Sequence, residues 1–438
     1  MQSFFNNSFG WIDFSKKDKN NAISVISANS QEILDELGLG IIRDAFSNYF
    51  FPGITTAQTR AKYFLLVPYI LHEFSLKPVK EKSIEQFYNY SESTLKATEK
   101  DTANLILNYY KQRKISVENL QIIGTVTLQQ GKFVTNVPRT IYWNGLNTFG
   151  IISYKEKNNI TVPFYDYLDA IWYGDNKNKP KDDSDEKSST NQTYFFLPDI
   201  TKIYKENWRT NLNISLTKEE ANYLKQKIIS STKKLYGSTL TVSNSLLANI
   251  LKDDSIDINK INSIHELREL ISVKKTVSSD IKERLKYADF FNEFYKLVMK
   301  RYNFILSGKK DELDYSDTDL KEIQSINENL DLNELNHLMF ENAKKTKTLL
   351  SAINFMVKIK KLFSKITQAY NTGANIEKLL QELDKEIEMH ELSIKHGKAK
   401  LIRKEINDSL NEKNVPILTY RLSHVRTIIN DIREAIND

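Results

Sequence analysis

Apolar side chains recur three and four positions apart along most of the chain, the period of a helix that buries one face. Asn29-Ser30 precede such a pattern through Ile33, Leu34, Leu37, Ile41, Ile42, Ala45 and Phe46, with Gly38 and Gly40 interrupting it. Pro52-Gly53 is a break. Thr55 or Thr56 then caps a helix through Ala61, Phe64 and Leu65, which Pro68 kinks or ends. Two further helices are expected over 83–97 and 99–113. Pro138 suits the first turn of another. Ile151 to Tyr154, polar 155–159 and Ile160-Thr161-Val162 read as strand, turn, strand. Farther on, Thr217-Lys218-Glu219-Glu220 has capping-box spacing before Leu224 and Ile228. Helical patterns then run to the end, with breaks near 237–244, 307–318 and 370–375.

These elements predict a mainly α fold. An N-terminal helical domain over 1–170 carries a small β-hairpin, winged-helix-like at 117–163. A polar linker or disordered loop follows over 171–200, then a larger helical region over 201–438. The stretch 175–192 contains no large apolar side chain, which marks the linker. Composition agrees: glycine (13) and proline (8) are sparse, and an apolar share of 40% suffices for a sizeable core. There is no cysteine, so disulfides, thiolate nucleophiles and Cys-ligated zinc drop out together. The start of the chain lacks the basic and apolar regions of a signal peptide. The longest apolar run, Tyr63 to Leu71, contains Pro68 and falls well short of the roughly 20 residues of a membrane span. The expectation is a cytoplasmic protein, with membrane unlikely as a partner.

Chemistry is harder to find. His72, His265, His337, His390, His396 and His424 form no HExxH or HxH motif. No phosphate-binding glycine loop and no nucleophile elbow occurs, and no cofactor is expected. Asp199 with Glu206, or Glu156 with Lys157, would suit a metal-dependent nuclease, but such spacings are ordinary where 27% of residues are charged. The chain reads as a non-enzyme, with a cryptic nuclease as the third-ranked alternative.

Two features rise above that background. In a winged-helix reading, Val117 to Gln129 forms the supporting helix and Pro138 to Asn147 the recognition helix. Arg139 and Thr140 then sit near base edges, and Lys155 and Lys157 tip the wing. The opposing reading is that Ile141, Tyr142, Trp143 and Leu146 bury that helix and the hairpin covers a core. The second feature is residues 341–366, with seven lysines and one acid. This window accounts for the formal charge of +6, since basic and acidic residues balance elsewhere. On a helix Lys347, Lys358, Lys361 and Lys365 fall within an arc of about 60°. The stripe fits a solvated face, a phosphate-contacting ridge on DNA or RNA, or a membrane-surface helix. Lysine lacks the bidentate fork of arginine, which weakens specific readout.

Several strings carry a resemblance: Phe9 to Ser15 (FGWIDFS), Leu37 to Ser47 with Gly38, Gly40 and Arg43, Phe51-Pro52-Gly53, Gln58 to Phe64 (QTRAKYF), and Tyr142 to Leu146 (YWNGL). Ser215 to Leu224 and Tyr420-Arg421 with Asp431-Ile432 complete the set. Together they resemble an uncharacterised bacterial family known only as a domain of unknown function, over most of the chain and most specifically before residue 150. Leu422 stands where relatives are expected to carry an aromatic. The resemblance implies a place beside restriction and phage-defence genes, and it supplies no catalytic residue. Within these strings Arg43 and Arg60 stand among apolar neighbours. Each is either an anion contact or a structural ion pair, for example with Asp44 or Glu36. The leading expectation is a nucleic-acid-binding or adaptor component of a bacterial defence or DNA-processing system. The alternative is a helical protein–protein interaction subunit, with a partner encoded nearby and no affinity for nucleic acid.

Overall fold

A computed structural model describes residues 35–153, 161–174, 200–403, 410, 415 and 418–438. The described residues are mainly helical. In chain order the first helices are α1 (Gly40–Phe50), α2 (Tyr63–Ser75), α3 (Ile84–Gln112), α4 (Thr125–Gln129), α5 (Pro138–Thr148) and α6 (Phe164–Gly174). There follow α7 (Lys218–Ser230), α8 (Leu246–Lys252), α9 (Ile264–Ser272), α10 (Ser279–Leu306), α11 (Asp317–Asn329) and α12 (Leu332–Phe340). The last are α13 (Lys347–Asn371), α14 (Glu377–Lys395), α15 (Lys400–Arg403) and α16 (Leu422–Asn437).

Local chemistry explains several boundaries. Pro138 occupies the first turn of α5, where its missing N–H costs nothing. Thr217 and Glu220 close a capping box on α7. Pro68 neither ends nor divides α2, because the helix is buried on almost every side from Tyr63 to Leu71 and packing outweighs the lost hydrogen bond. The two helices expected over 83–113 are one. Thr98, whose hydroxyl could have capped a second helix, donates it instead to the carbonyl of Thr94 within the same helix.

The winged-helix expectation is not met. Among the described residues there is no sheet; an isolated antiparallel bridge joins Lys234 and Thr241. The supporting helix expected over 117–129 is reduced to the single turn and a half of α4. It is interrupted at Gly124, whose φ of 90° is a left-handed conformation that ends helical continuation. Where the hairpin was expected, Val162 is held by side chains rather than by a ladder. Its N–H donates to Asn147 Oδ1 at 2.7 Å, and its carbonyl accepts from Trp143 Nε1 at 2.7 Å. Residues 154–160, which include Lys155 and Lys157, lie outside the described residues.

The centre of the molecule is α10. It is buried along nearly its whole length and packs against α1, α9, α11, α12 and α14. Its buried charges are each compensated, as buried charges must be. Lys300 meets Asp319 at 2.8 Å, and Arg301 takes both oxygens of Asp384 at 2.6 and 3.0 Å.

Gly145 of the YWNGL string fixes how closely α5 approaches α2. A Cβ there would lie 2.5 Å from the Phe64 ring and 2.7 Å from the carbonyl oxygen of Gly53. Gly145→Ala is expected to cost about 1–3 kcal/mol, toward the upper end because a backbone carbonyl cannot swing away. A urea midpoint lowered at unchanged slope is the expected result; an unchanged midpoint would show that α2 and α5 separate freely.

Candidate functional site

The arginines singled out from sequence turn inward. Arg139 lies in the first turn of α5 and is only 6% exposed. Its guanidinium contacts the carboxylates of Glu99 and Glu92 on α3, and its backbone N–H donates to Glu99 Oε1 at 2.7 Å. Burial works against its charge, and the two carboxylates outweigh that, holding its pKa above the ordinary guanidinium value. A side chain so enclosed cannot reach a base edge, so the contact expected of Arg139 is withdrawn. Thr140 beside it is half-buried.

Arg60 forms a two-pronged contact with Asp431 on α16, Nε at 3.0 and 2.9 Å from the two oxygens and an Nη at 2.7 Å from one. Asp431 also accepts the backbone N–H of Ala61 at 2.7 Å. Arg43 pairs with Asp44 at 3.0 Å. Gln58 and Lys62 of the same string are braces too. Gln58 Nε2 donates to the Gly53 carbonyl, and Lys62 meets Glu220 at 2.6 Å in the core. Tyr142 binds the backbone at Thr59 and Arg60 through its hydroxyl. Sequence reasoning missed the buried lysines altogether, since no local pattern distinguishes Lys62 or Lys300 from a surface lysine. Among the described residues, no group of three or more His, Asp or Glu is placed to hold a metal ion.

The lysine stripe is where the pattern put it, on α13. Thr346 caps the helix by accepting the N–H of Leu349. Leu349, Ala352, Phe355, Met356, Ile359, Phe363 and Ile366 bury one side against α11, α14 and α1. Lys347, Lys358, Lys361 and Lys365 are all exposed on the other. Lys360, outside the stripe, turns inward and donates to the Leu330 carbonyl, and partial burial lowers its pKa.

Two of the four are answered by the neighbouring helix. Lys358 pairs with Glu386 at 2.9 Å and Lys365 with Glu382 at 3.6 Å, both on α14. Lys347 and Lys361 make no ion pair among the described residues. α14 carries six acids and three lysines, against five lysines and no acid on α13. Asp384 and Glu391 of α14 are buried and held by Arg301 and Tyr302, so the positive charge seen in sequence is offset across the helix pair only at Lys358 and Lys365.

That outer face also carries apolar side chains that packing does not cover. Leu350 (43% exposed) and Val357 (50%) stand on α13, and Met389 (53%) and Leu392 (42%) on α14. Single exposed apolar residues are ordinary, and these four are notable for standing on one pair of adjoining helices. Phe355 and His390 stack face to face beneath them at 3.9 Å. His390 Nε2 contacts the Leu37 carbonyl at 2.9 Å, so the pair is locked to the core. The arrangement offers a rigid, mixed apolar and charged surface.

Residues 7–189 match the model of a family of unknown function, DUF6361. The match spans the strings from Phe9 to Leu146 and stops short of those at Ser215 and Tyr420, so it is narrower than the resemblance over most of the chain had implied. No curated protein and no solved structure matches the chain.

Proposed function

We propose that the chain is a non-enzymatic protein-interaction subunit of the adaptor class, working through the outer face of α13 and α14. One observation carries the reading: Leu350, Val357, Met389 and Leu392 reach solvent there among charges of both signs. A polyanion is best served by an uninterrupted positive ridge. A protein surface is better served by apolar anchors within a charged rim. A photo-crosslinking residue placed at Val357 is expected to give a protein adduct in cells. The same residue at Val126, exposed on α4, is expected to give none. Absence of any adduct at Val357 would overturn the reading.

The nucleic-acid reading keeps one observation in its favour, since Lys344, Lys345, Lys347 and Lys361 are exposed with no acidic partner among the described residues. DNA titrations at several salt concentrations separate the two. Replacing Lys347, Lys358, Lys361 and Lys365 with glutamine is expected to leave the salt slope unchanged. A slope that flattens by about one for each phosphate no longer neutralised would return the stripe to nucleic acid.

A further inference from the structure

We infer that α6 and the first turns of α3 form a separate binding site for an alkylated ammonium group, between the rings of Tyr88, Tyr165 and Tyr173 and the carboxylate of Asp169. The site uses neither α13 nor α14, so it stands or falls independently of the interaction-subunit reading.

Helical spacing brings the parts together. Tyr165, Asp169 and Tyr173 are four residues apart and line one face of α6. α6 packs on α3, and the Tyr88 hydroxyl of α3 donates to Asp169 Oδ1. The Tyr88 and Tyr165 rings meet at 5.1 Å and 69°, which makes a corner of two aromatic walls. Burial, the Asp169 contact and then the Tyr173 and Tyr165 hydroxyls raise the pKa of Tyr88, so all three hydroxyls share one neighbourhood. Tyr165 and Tyr173 are exposed, so a ligand reaches their rings from solvent.

Asp169 supplies the charge. Carboxylates sunk elsewhere in the fold are met by cations: Glu73 by Arg209, Asp280 by Arg284 and Asp319 by Lys300. Asp169 makes no ion pair among the described residues, and the Tyr88 hydroxyl is its one side-chain donor there. Arg139, over the neighbouring Phe164 ring, is taken by Glu99 and Glu92. α6 itself carries no lysine or arginine. Burial and the nearby Asp166 push the Asp169 carboxyl above its ordinary value, against the pull of the Tyr88 hydroxyl. A bound cation would bring it down.

The same chemistry selects the ligand. The face of an aromatic ring attracts a cation held within about 6 Å of its centroid. A primary ammonium has three strongly hydrated N–H donors, which one free carboxylate oxygen cannot satisfy. An alkylated ammonium gives up little hydration, so rings and a single carboxylate suffice. Choline and methylated lysine share that group.

Calorimetric titration with choline tests the site, beside the isosteric alcohol in which carbon replaces the charged nitrogen. Choline is expected to bind with a Kd on the order of 1 mM, and the uncharged isostere at least about tenfold more weakly. Tyr165→Leu, Tyr173→Leu and Asp169→Asn are each expected to weaken choline at least about fivefold, with the urea midpoint unchanged. Both tyrosines are exposed, and Asp169→Asn keeps an acceptor for Tyr88, so the fold survives all three. No saturable binding of choline up to about 50 mM overturns the inference. Equal binding of the isostere, or an affinity unchanged in all three variants, overturns it as well. With the site upheld, a trimethyl-lysine peptide that binds more tightly than choline assigns the group to a protein side chain. A peptide that binds no more tightly assigns it to a free quaternary ammonium.

Discussion

Glu99→Leu is expected to destabilise the fold by about 3 kcal/mol, the lower end of what removing one partner of a buried ion pair costs. Glu99 is enclosed, with its side chain 2% exposed. It accepts both the guanidinium and the backbone N–H of Arg139. Without it Arg139 keeps only Glu92, which is 41% exposed and screened by solvent. The penalty comes from stranding a buried cation, so the double variant Glu99→Leu with Arg139→Met is expected to recover much of the loss. Urea midpoints at unchanged slope decide it. A double variant as unstable as the sum of its parts would mean that the pair is packed for shape, with no stranded charge to relieve.

That pair also shows why a sequence reading goes astray here. Pro138-Arg139-Thr140 has the look of a recognition helix because the local rules concern only the first turn. The residues that decide Arg139's fate stand 40 and 47 positions away on another helix. The lysine stripe repeats the lesson in milder form. Its exposure follows from helical periodicity and is as expected. Its partial neutralisation depends on glutamates 28 and 17 positions downstream, which no window over 341–366 contains. What was legible is what is local. The Thr217–Glu220 capping box, the Pro138 start and the breaks near 237–244, 307–318 and 370–375 each rest on residues within one turn of the feature they set. The exposure of apolar residues on α13 and α14 was illegible for a further reason. Leu350 and Val357 have the same hydrophobicity as the core residues beside them, and only the position of the neighbouring helices leaves them uncovered.

Asp431→Ala is expected to have an effect of similar size, about 3 kcal/mol, and to reach across the whole chain. Asp431 is 8% exposed and receives Arg60 through three contacts and Ala61 through its backbone N–H. Arg60 and Ala61 lie inside the segment that matches the family model, and Asp431 lies far outside it on α16. Two more braces cross in the same direction, Lys62 to Glu220 in the core and the Tyr49 hydroxyl to the partly exposed Asp280. Three polar side chains of the early segment, Arg60, Lys62 and Tyr49, are therefore completed by the later helices. Loss of Asp431 leaves the Arg60 guanidinium with the Leu120 carbonyl and exposes the Ala61 amide to exchange. Hydrogen exchange is expected to accelerate at Ala61 and along α16 together, because both ends of the brace loosen at once. A double-mutant cycle with Arg60→Met is expected to give a coupling of about 2 kcal/mol. Additivity within about 0.5 kcal/mol would show the two residues to be independent and would remove the brace from the account of how the two ends of the chain hold each other.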